Sequence, residues 1–575
     1  MTVSIIRRDI PDHDLPSDLH PVIAQIYASR HLLTANEIEH SLKFLHPSDS
    51  LKSIDKAIAL LVDAVREDKK VLIVADFDAD GATSCALTVR ALHMLGLTQV
   101  EYLVPNRFEF GYGLTKEIVA VAAKQNPDLI ITVDNGISSI EGVQAANDFG
   151  IQVLITDHHL PGEYLPAAKA IVNPNQPGDT FPSKNLAGVG VIFYVMFTLR
   201  SALREAGWFE KKGIEEPNLA SLLDLVALGT VADVVPMDHN NRILVSQGLA
   251  RIRHGQCIPG ISALIEIAKR NQKNMVAADL GFVVGPRLNA AGRLEDMSLG
   301  IECLLTDDLN KARAMAKKLD QLNIERREIE SKMQVQAVEA LKSMKLNEDD
   351  KTMPVGLCLF DESWHQGVIG ILASRIKEKL HRPVIAFAPC NDKEIKGSAR
   401  SVQGLHIRDV LDAIAAKHPV LLKKFGGHAM AAGMLLDKEN FESFSKAFDE
   451  EVRRVLNEED LQGVIHTDGE LQATDIGLPL AQLIRQSGPW GQCFPEPVFE
   501  GEFELIQKRI VGEKHLKLML KVPDHDVCID AIAFNMLDKD WPDNVRRVST
   551  AYRLDVNEYQ GKVTPQLIVE HIAPI

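Results

Sequence analysis

The sequence predicts an α/β protein built in series: a doubly wound parallel-sheet domain, a long connecting helix, a second and smaller α/β domain, and a C-terminal all-β barrel. Three observations carry this reading. Residues 50–240 alternate short apolar runs with stretches of helical periodicity, residues 309–345 hold helical spacing without a single Gly or Pro, and after about residue 460 the pattern changes to short alternating strands.

Residues 1–48 form an N-terminal segment of no clear type, and the first domain is expected over 49–308. Its buried parallel strands are Val71-Leu72-Ile73-Val74-Ala75, Leu129-Ile130-Ile131-Thr132-Val133 and Val153-Leu154-Ile155-Thr156, separated by amphipathic segments at 83–95, 115–124 and 138–149. The connecting helix, 309–346, places apolar residues at 315, 319, 322, 329, 333, 337 and 341, and would be roughly 55 Å long if continuous. The second domain, 347–457, has strands near 355–360 and 384–388, a helix near 367–380 and a glycine-rich stretch at 426–433. The barrel occupies 458–575; Phe499-Glu500-Gly501-Glu502-Phe503, His515-Leu516-Lys517-Leu518 and Gln566-Leu567-Ile568-Val569 are among its strands. Small barrels of this kind bind single-stranded nucleic acid or serve only packing.

Composition narrows the class. With 46% apolar and 25% charged residues the chain is neither disordered nor fibrous. No uncharged apolar run reaches the ~18 residues of a membrane helix, and the first residues lack a signal-peptide core, so a cytoplasmic protein is expected. The seven cysteines (85, 257, 303, 358, 390, 493 and 528) are odd in number and free of CxxC pairs, which argues against a disulfide framework or a zinc knuckle. A net charge of −16 works against a polyanionic partner, but counterion release depends on the phosphates contacted rather than on total charge.

The chemistry sits where strands end. Asp157-His158-His159 follows the third strand, at the edge where open α/β sheets collect ligands. The first strand ends in Asp76-Phe77-Asp78-Ala79-Asp80-Gly81-Ala82-Thr83-Ser84; if it stays extended, spacing of two puts three carboxylates on one side and calls for hard divalent cations. The plainer alternative is an acidic turn with Asp80 or Ser84 capping a helix. The second strand ends in Val133-Asp134-Asn135-Gly136, and Asp233 follows an apolar run over 221–228. Four carboxylate-bearing elements with one His pair fit a two-metal site better than a set of unrelated caps.

The ordered set DxDADGxTS, VDNGI, DHH and VADVVP resembles the DHH phosphoesterase superfamily. Val104-Pro105-Asn106-Arg107 with Gly111-Tyr112-Gly113, Gly285-Pro286-Arg287-Leu288-Asn289-Ala290-Ala291-Gly292-Arg293, Gly397-Ser398-Ala399-Arg400-Ser401 and Phe425-Gly426-Gly427-His428-Ala429-Met430 are similar to its branch of bacterial single-stranded-DNA-specific exonucleases. The resemblance implies a DHH catalytic domain, a DHH-associated second domain and an OB-fold. It implies a two-metal exonuclease that degrades single-stranded DNA from the 5′ end to mononucleotides, in recombination and in repair including mismatch repair.

It further implies two Mn²⁺ or Mg²⁺ ions held by Asp78, Asp80, Asp134, His158 and Asp233, with Asp134 as the bridge and Asp76 as a further ligand or a base. Asp157 would orient His158 through its other ring nitrogen, and His159 would face the scissile phosphate. Arg107, Arg287, Arg293, Ser398, Arg400 and His428 would contact phosphates or sugar, Ser398 and Arg400 receiving a 5′-terminal phosphate. For His428 the alternative is a structural histidine in a helix-start turn, and for Trp364 packing against the sheet is expected. Arg509, Lys514, His515 and Lys517 with Tyr552 and Tyr559 fit equally a nucleic-acid face of the barrel or a solvated charged face. A single-strand-binding protein and a monomeric state are expected as well. A rival reading from the same superfamily is a phosphodiesterase of short oligonucleotides or cyclic dinucleotides.

Overall fold

The computed structural model describes residues 3–105, 113–344, 354–512, 515–534, 536, 545–559 and 561–575. Its chain forms two compact units, one of residues 7–321 with 466–575, the other of residues 1–6 with 322–465.

In the first unit five parallel strands, β1 (Val71–Ala75), β2 (Val100–Leu103), β3 (Leu129–Val133), β4 (Gln152–Thr156) and β5 (Ala170–Val172), lie in the order β2-β1-β3-β4-β5. β1 and β3 are buried at every position, as strands covered by helices on both faces must be. The two strands not anticipated have physical reasons to escape notice: β2 is a half-exposed edge interrupted by Glu101, and β5 has only three residues. This strand order reverses direction between β1 and β3, so a crevice opens beyond their carboxyl ends. Helix α1 (Ala79–Met94) leaves the end of β1, and helix α2 (Leu223–Ala232), buried almost throughout, packs against it.

Helix α3 (Gly285–Leu294) approaches the end of β1 closely. A methyl group on Gly292 would sit 1.9 Å from the Phe77 carbonyl oxygen, and the Asn289 side chain accepts a hydrogen bond from the Ala79 N–H at 2.8 Å. Helix α4 (Leu309–Met344) is continuous, and the division between the compact units falls within it.

The C-terminal strands belong to the same unit as the parallel sheet. β11 (Phe499–Val511), β12 (His515–Lys521), β13 (Cys528–Ala533), β14 (Arg547–Tyr559) and β15 (Lys562–Pro574) close into a barrel in the order β11-β12-β13-β15-β14. Phe499, Phe503 and Tyr552 fill it, the last two edge-on at 5.5 Å. Tyr552 therefore does not serve a nucleic-acid face: it stands opposite Phe499 in register and points inward. Lys517 is ion-paired to Asp530 at 3.2 Å, and His515 packs against Phe534. Lys514 lies outside the described residues, as does the side chain of Tyr559.

The N-terminal segment is tied to the stretch before the barrel by a buried ion pair. Arg30 grips Asp468 through both guanidinium nitrogens at 2.7 and 3.1 Å, each side chain 2% exposed, and lies over the Trp490 ring.

The second unit has a five-stranded sheet of β6 (Leu357–Phe360), β7 (Val384–Pro389), β8 (Glu394–Arg400), β9 (Lys424–Gly427) and β10 (Ala431–Asp437), ordered β9-β10-β8-β7-β6. Period-2 alternation divides its core. Val384, Ala386 and Ala388 meet helix α5 (Ile369–Leu380) and α4, whereas Ile385 and Phe387 join the helices 407–417 and 441–455. Trp364 packs in the first of these layers, as expected, with its indole N–H donating to Gln336 at 3.1 Å. Among the described residues no helix is long and apolar enough to cross a membrane.

Replacing Arg30 by alanine strands a carboxylate in the interior. Arg30→Ala is expected to destabilise the first unit by roughly 3–5 kcal/mol, read as a lowered thermal midpoint, while Arg30→Ala/Asp468→Leu recovers a large part of the loss.

A carboxylate and histidine cluster at the switch point

The residues expected to hold metal come together. Asp76, Asp78 and Asp134 offer oxygens within 4.8 Å of one another, as do ligand atoms of Asp80, His158 and Asp233, and of Asp134, His158 and His159. The local route differs from a strand with three carboxylates on one side. The strand ends at Ala75; Asp78, its backbone still extended, caps α1, accepting from the Asp80 and Gly81 N–H groups at 3.0 Å, and Asp80 sits in the helix's first turn. Capping is therefore the work of Asp78, not of Asp80 or Ser84, and it turns the chain so that three successive carboxylates converge.

Asp134 occupies the left-handed region at φ 61°, immediately after β3. It fits because Gly188, the first residue of the helix Gly188–Glu205, has no side chain: a methyl there would lie 2.6 Å from the Asp134 Cβ. The same helix start serves Asp80, whose two oxygens accept from the Gly188 and Val189 N–H groups at 2.6 and 3.0 Å. Asp233 caps the far end of α2, followed by Val234 at φ 61°.

His158 directs Nε2 into the cluster, 3.1 Å from Asp134 and 3.4 Å from Asp233, without hydrogen-bond geometry to either. Burial, then the neighbouring His159, lowers its pKa, which favours the neutral ring. Asp157 contradicts expectation: its carboxylate accepts from His159 Nδ1 at 2.8 Å and from the backbone N–H groups of Ile137, His158 and His159, and its ring partner is His159, not His158. The turn itself presents the backbone to Asp157 while His158 swings away toward Asp134. Burial opposes charge on both partners, but their hydrogen bond outweighs it, holding Asp157 down to about 2 and lifting His159 to about 9. Asn173 and Asn175, which sequence reasoning missed, brace this turn by donating to the His159 and His158 carbonyls at 2.9 and 2.6 Å. The signal was present as Asn173-Pro174-Asn175 after a short apolar run.

The carboxylates repel one another in a desolvated place. Burial first, and Asp233 next, push Asp80 up to about 7; burial and Asp78 push Asp233 up to about 8; burial with Asp80, Asp78 and Asp76 raises Asp134 well above the usual range. An oxygen-rich set with one neutral imidazole is the donor chemistry of hard divalent cations such as Mg²⁺ and Mn²⁺.

The arginines divide. Arg287 is bound by Asp320 at 2.9 Å and donates to the Val283 carbonyl at 2.6 Å, so its fork holds the start of α3 instead of presenting itself to phosphate. Arg293 lies half-buried in the last turn of α3, and Arg107 falls outside the described residues, as do Asn106, Gly111 and Tyr112. In the second unit, Ser398 and Arg400 share one side of β8: Arg400 Nη1 donates to Ser398 Oγ at 3.1 Å and to the Ala399 carbonyl at 2.7 Å. A methyl on Gly370 would lie 2.9 Å from Arg400 Nη2 and 3.0 Å from Ser398 Oγ, which places both groups at the start of the 12-residue helix α5. Among the described residues no carboxylate pairs with Arg400, whose pKa is lowered by burial. His428 is exposed in the β9–β10 hairpin turn, where its N–H donates to the Ala431 carbonyl, so it starts no helix.

Residues 70–230 match the DHH family N-terminal domain, 352–454 the DHHA1 domain and 467–571 the RecJ OB domain. The chain is 54% identical over 570 residues to the single-stranded-DNA-specific exonuclease RecJ of Dickeya dadantii, covering 99% of each, and 52% identical to that of Escherichia coli K12, covering 100% of this chain and 99% of the relative. It belongs to the RecJ family. RecJ of Thermus thermophilus, solved in complex with Mn²⁺, superposes with a TM-score of 0.79 at 28% identity, covering 100% of this chain and 80% of the other; its Mg²⁺ complex gives 0.74 at 27%, covering 100% and 79%.

Because folding raises Asp80 and Asp233 from about 4 to about 7 and 8, the metal-free protein is most stable below pH ~4 with respect to these groups and loses that stability as pH rises through 7–8. In EDTA the thermal midpoint is expected to fall between about pH 5 and pH 8, and Mn²⁺ to raise it more at the higher pH; an Mn²⁺ effect independent of pH would refute the coupling. Asp157→Asn, which removes the charge that holds His159 protonated, is expected to lower activity about 100-fold at saturating Mn²⁺.

Proposed function

We propose that this chain is a divalent-cation-dependent exonuclease that hydrolyses single-stranded DNA from the 5′ end and releases mononucleotides. The observation that carries the reading is the cluster of Asp76, Asp78, Asp80, Asp134, His158 and Asp233 at the sheet's switch point, in a chain belonging to the RecJ family along its whole length.

Asp78, Asp80, Asp134, His158 and Asp233 would hold two Mn²⁺ or Mg²⁺ ions, with Asp134 between them and Asp76 as a further ligand beside Asp78. Bound there, the cations supply an activated water and neutralise charge on the phosphate. The protein's own groups do the rest. His159, kept protonated by Asp157, offers a cationic N–H to a non-bridging phosphate oxygen, and the carboxylates orient the water for in-line attack. Arg293 and His428 would contact the strand. Ser398 and Arg400 would take the 5′-terminal phosphate, fixing the direction of digestion. The barrel, on the same compact unit as the cluster, supports long strands over the short or cyclic substrates of other DHH phosphodiesterases. Recombinational and mismatch repair in the cytoplasm, beside a single-strand-binding protein, is the setting that suits a monomeric enzyme of this kind.

Digestion of 5′- and 3′-labelled single strands and duplexes with Mg²⁺, Mn²⁺ or EDTA tests the proposal. Release of the 5′ label first, from single strands, abolished by EDTA, is expected; attack from the 3′ end or activity in EDTA contradicts it. Asp134→Asn should lose nearly all turnover, and Arg400→Ala should raise KM about tenfold or more for 5′-phosphorylated strands and much less for 5′-hydroxyl strands.

A further inference from the structure

Between the short helix Ala277–Asp279 and α3 the chain forms a single π-helical turn, Leu280–Val284. Such turns are costly and occur frequently at functional sites. This one is pinned on both sides: Arg287 Nη1 holds the Val283 carbonyl at 2.6 Å, and Leu280 and Val284 are fully buried. Its middle residue is Phe282, 85% exposed, the greatest exposure of any large hydrophobic side chain among the described residues. A rigid mount that drives an aromatic ring into solvent costs apolar burial and gains nothing within the fold.

Its position relates the ring to the chemistry. The π turn packs on the last turn of α2: a methyl on Gly281 would lie 3.1 Å from Val231 Cγ1, and one on Gly285 3.2 Å from the Ala232 Cβ. Those residues immediately precede Asp233. Val234, next in the chain, is 63% exposed and left-handed at φ 61°, a strained state for a β-branched residue. On the other side α3 leads from the same turn to Gly292, which touches the Phe77 carbonyl between Asp76 and Asp78. Phe282 is thus mounted on a turn that packs against the helix end leading into Asp233 and that leads, through α3, to the backbone between Asp76 and Asp78.

We propose that Phe282 is a positioning residue whose ring stacks on a nucleobase of the single strand beside the scissile phosphate. Every base has a π face, so the contact grips the strand without reading its sequence, and only an unpaired base offers that face. The inference rests on the nuclease reading above and adds to it the residue that registers the strand over the cluster.

The test compares the native chain with Phe282→Ala and Phe282→Trp on single strands carrying either normal 5′-terminal nucleotides or abasic residues in the first three positions. Stacking is worth about 1–3 kcal/mol per base, so Phe282→Ala should raise KM on normal strands between about fivefold and a hundredfold. The native enzyme should lose a similar factor on abasic strands, to which the alanine variant should be indifferent, and Phe282→Trp should restore the discrimination and show a fluorescence quench on mixing with oligothymidylate. An alanine variant that keeps both the native KM and the native preference for bases overturns the proposal while leaving the nuclease reading intact. A native enzyme that hydrolyses neither strand overturns both.

Discussion

The crowding of buried carboxylates at one point of the sheet is the constraint on which the rest of this structure depends. Bringing Asp76, Asp80, Asp134 and Asp233 out of water beside one another is unfavourable, and the upward shifts of Asp80, Asp134 and Asp233 measure it. The surrounding scaffold answers group by group. Asp80 rests on the start of the helix Gly188–Glu205, where unsatisfied N–H groups carry partial positive charge, and Asp78 satisfies the start of its own helix. Each such contact fixes a carboxylate without neutralising it, so the cluster keeps a demand for cations that the protein itself does not meet.

Asp157 solves a different problem with the same residue type. Buried as deeply as Asp80, it is held ionised at about 2 because three backbone N–H groups and one imidazole converge on it. The two histidines that follow then differ although they are neighbours in sequence. His158, facing carboxylates but desolvated, is held toward its neutral form; His159, on Asp157, is held charged to about pH 9. One imidazole is thereby suited to a cation and the other to a phosphate, a division made by hydrogen bonding and not by residue type.

Much of this was legible in the sequence because it is written in runs. The strands β1, β3 and β4 are short, mostly apolar runs, and Asp76, Asp134 and the Asp157-His158 pair follow their ends, so order along the chain predicts proximity in space. The helix Leu309–Met344 was legible because it lacks breakers. What escaped depends on partners distant in sequence. Gly188 and Val189 receive Asp80 from 108 and 109 residues away, and nothing local marks them. Arg287 reads like a phosphate ligand until Asp320 arrives on another helix, and Tyr552 reads like a surface aromatic until the barrel closes around it. The Asp157 pairing was misjudged because an Asp-His-His triplet does not say which ring the carboxylate can reach; the turn geometry decides that.

The net charge of −16 and a polyanionic substrate are compatible because the two kinds of charge are segregated by what satisfies them. Outside the cluster some carboxylates are paired with lysine or arginine, as Asp530 is with Lys517 and Asp320 with Arg287. Within the cluster, Asp134 and Asp233 lie beside His158 and Asp157 beside His159, whereas among the described residues Arg400 in the second unit pairs with no carboxylate. Burial and mutual repulsion hold Asp80, Asp134 and Asp233 toward their protonated forms in the bare cluster, so a cation entering it would take the place of protons. The charge of the site would therefore be set jointly by pH and by cations, which compete for the same carboxylates.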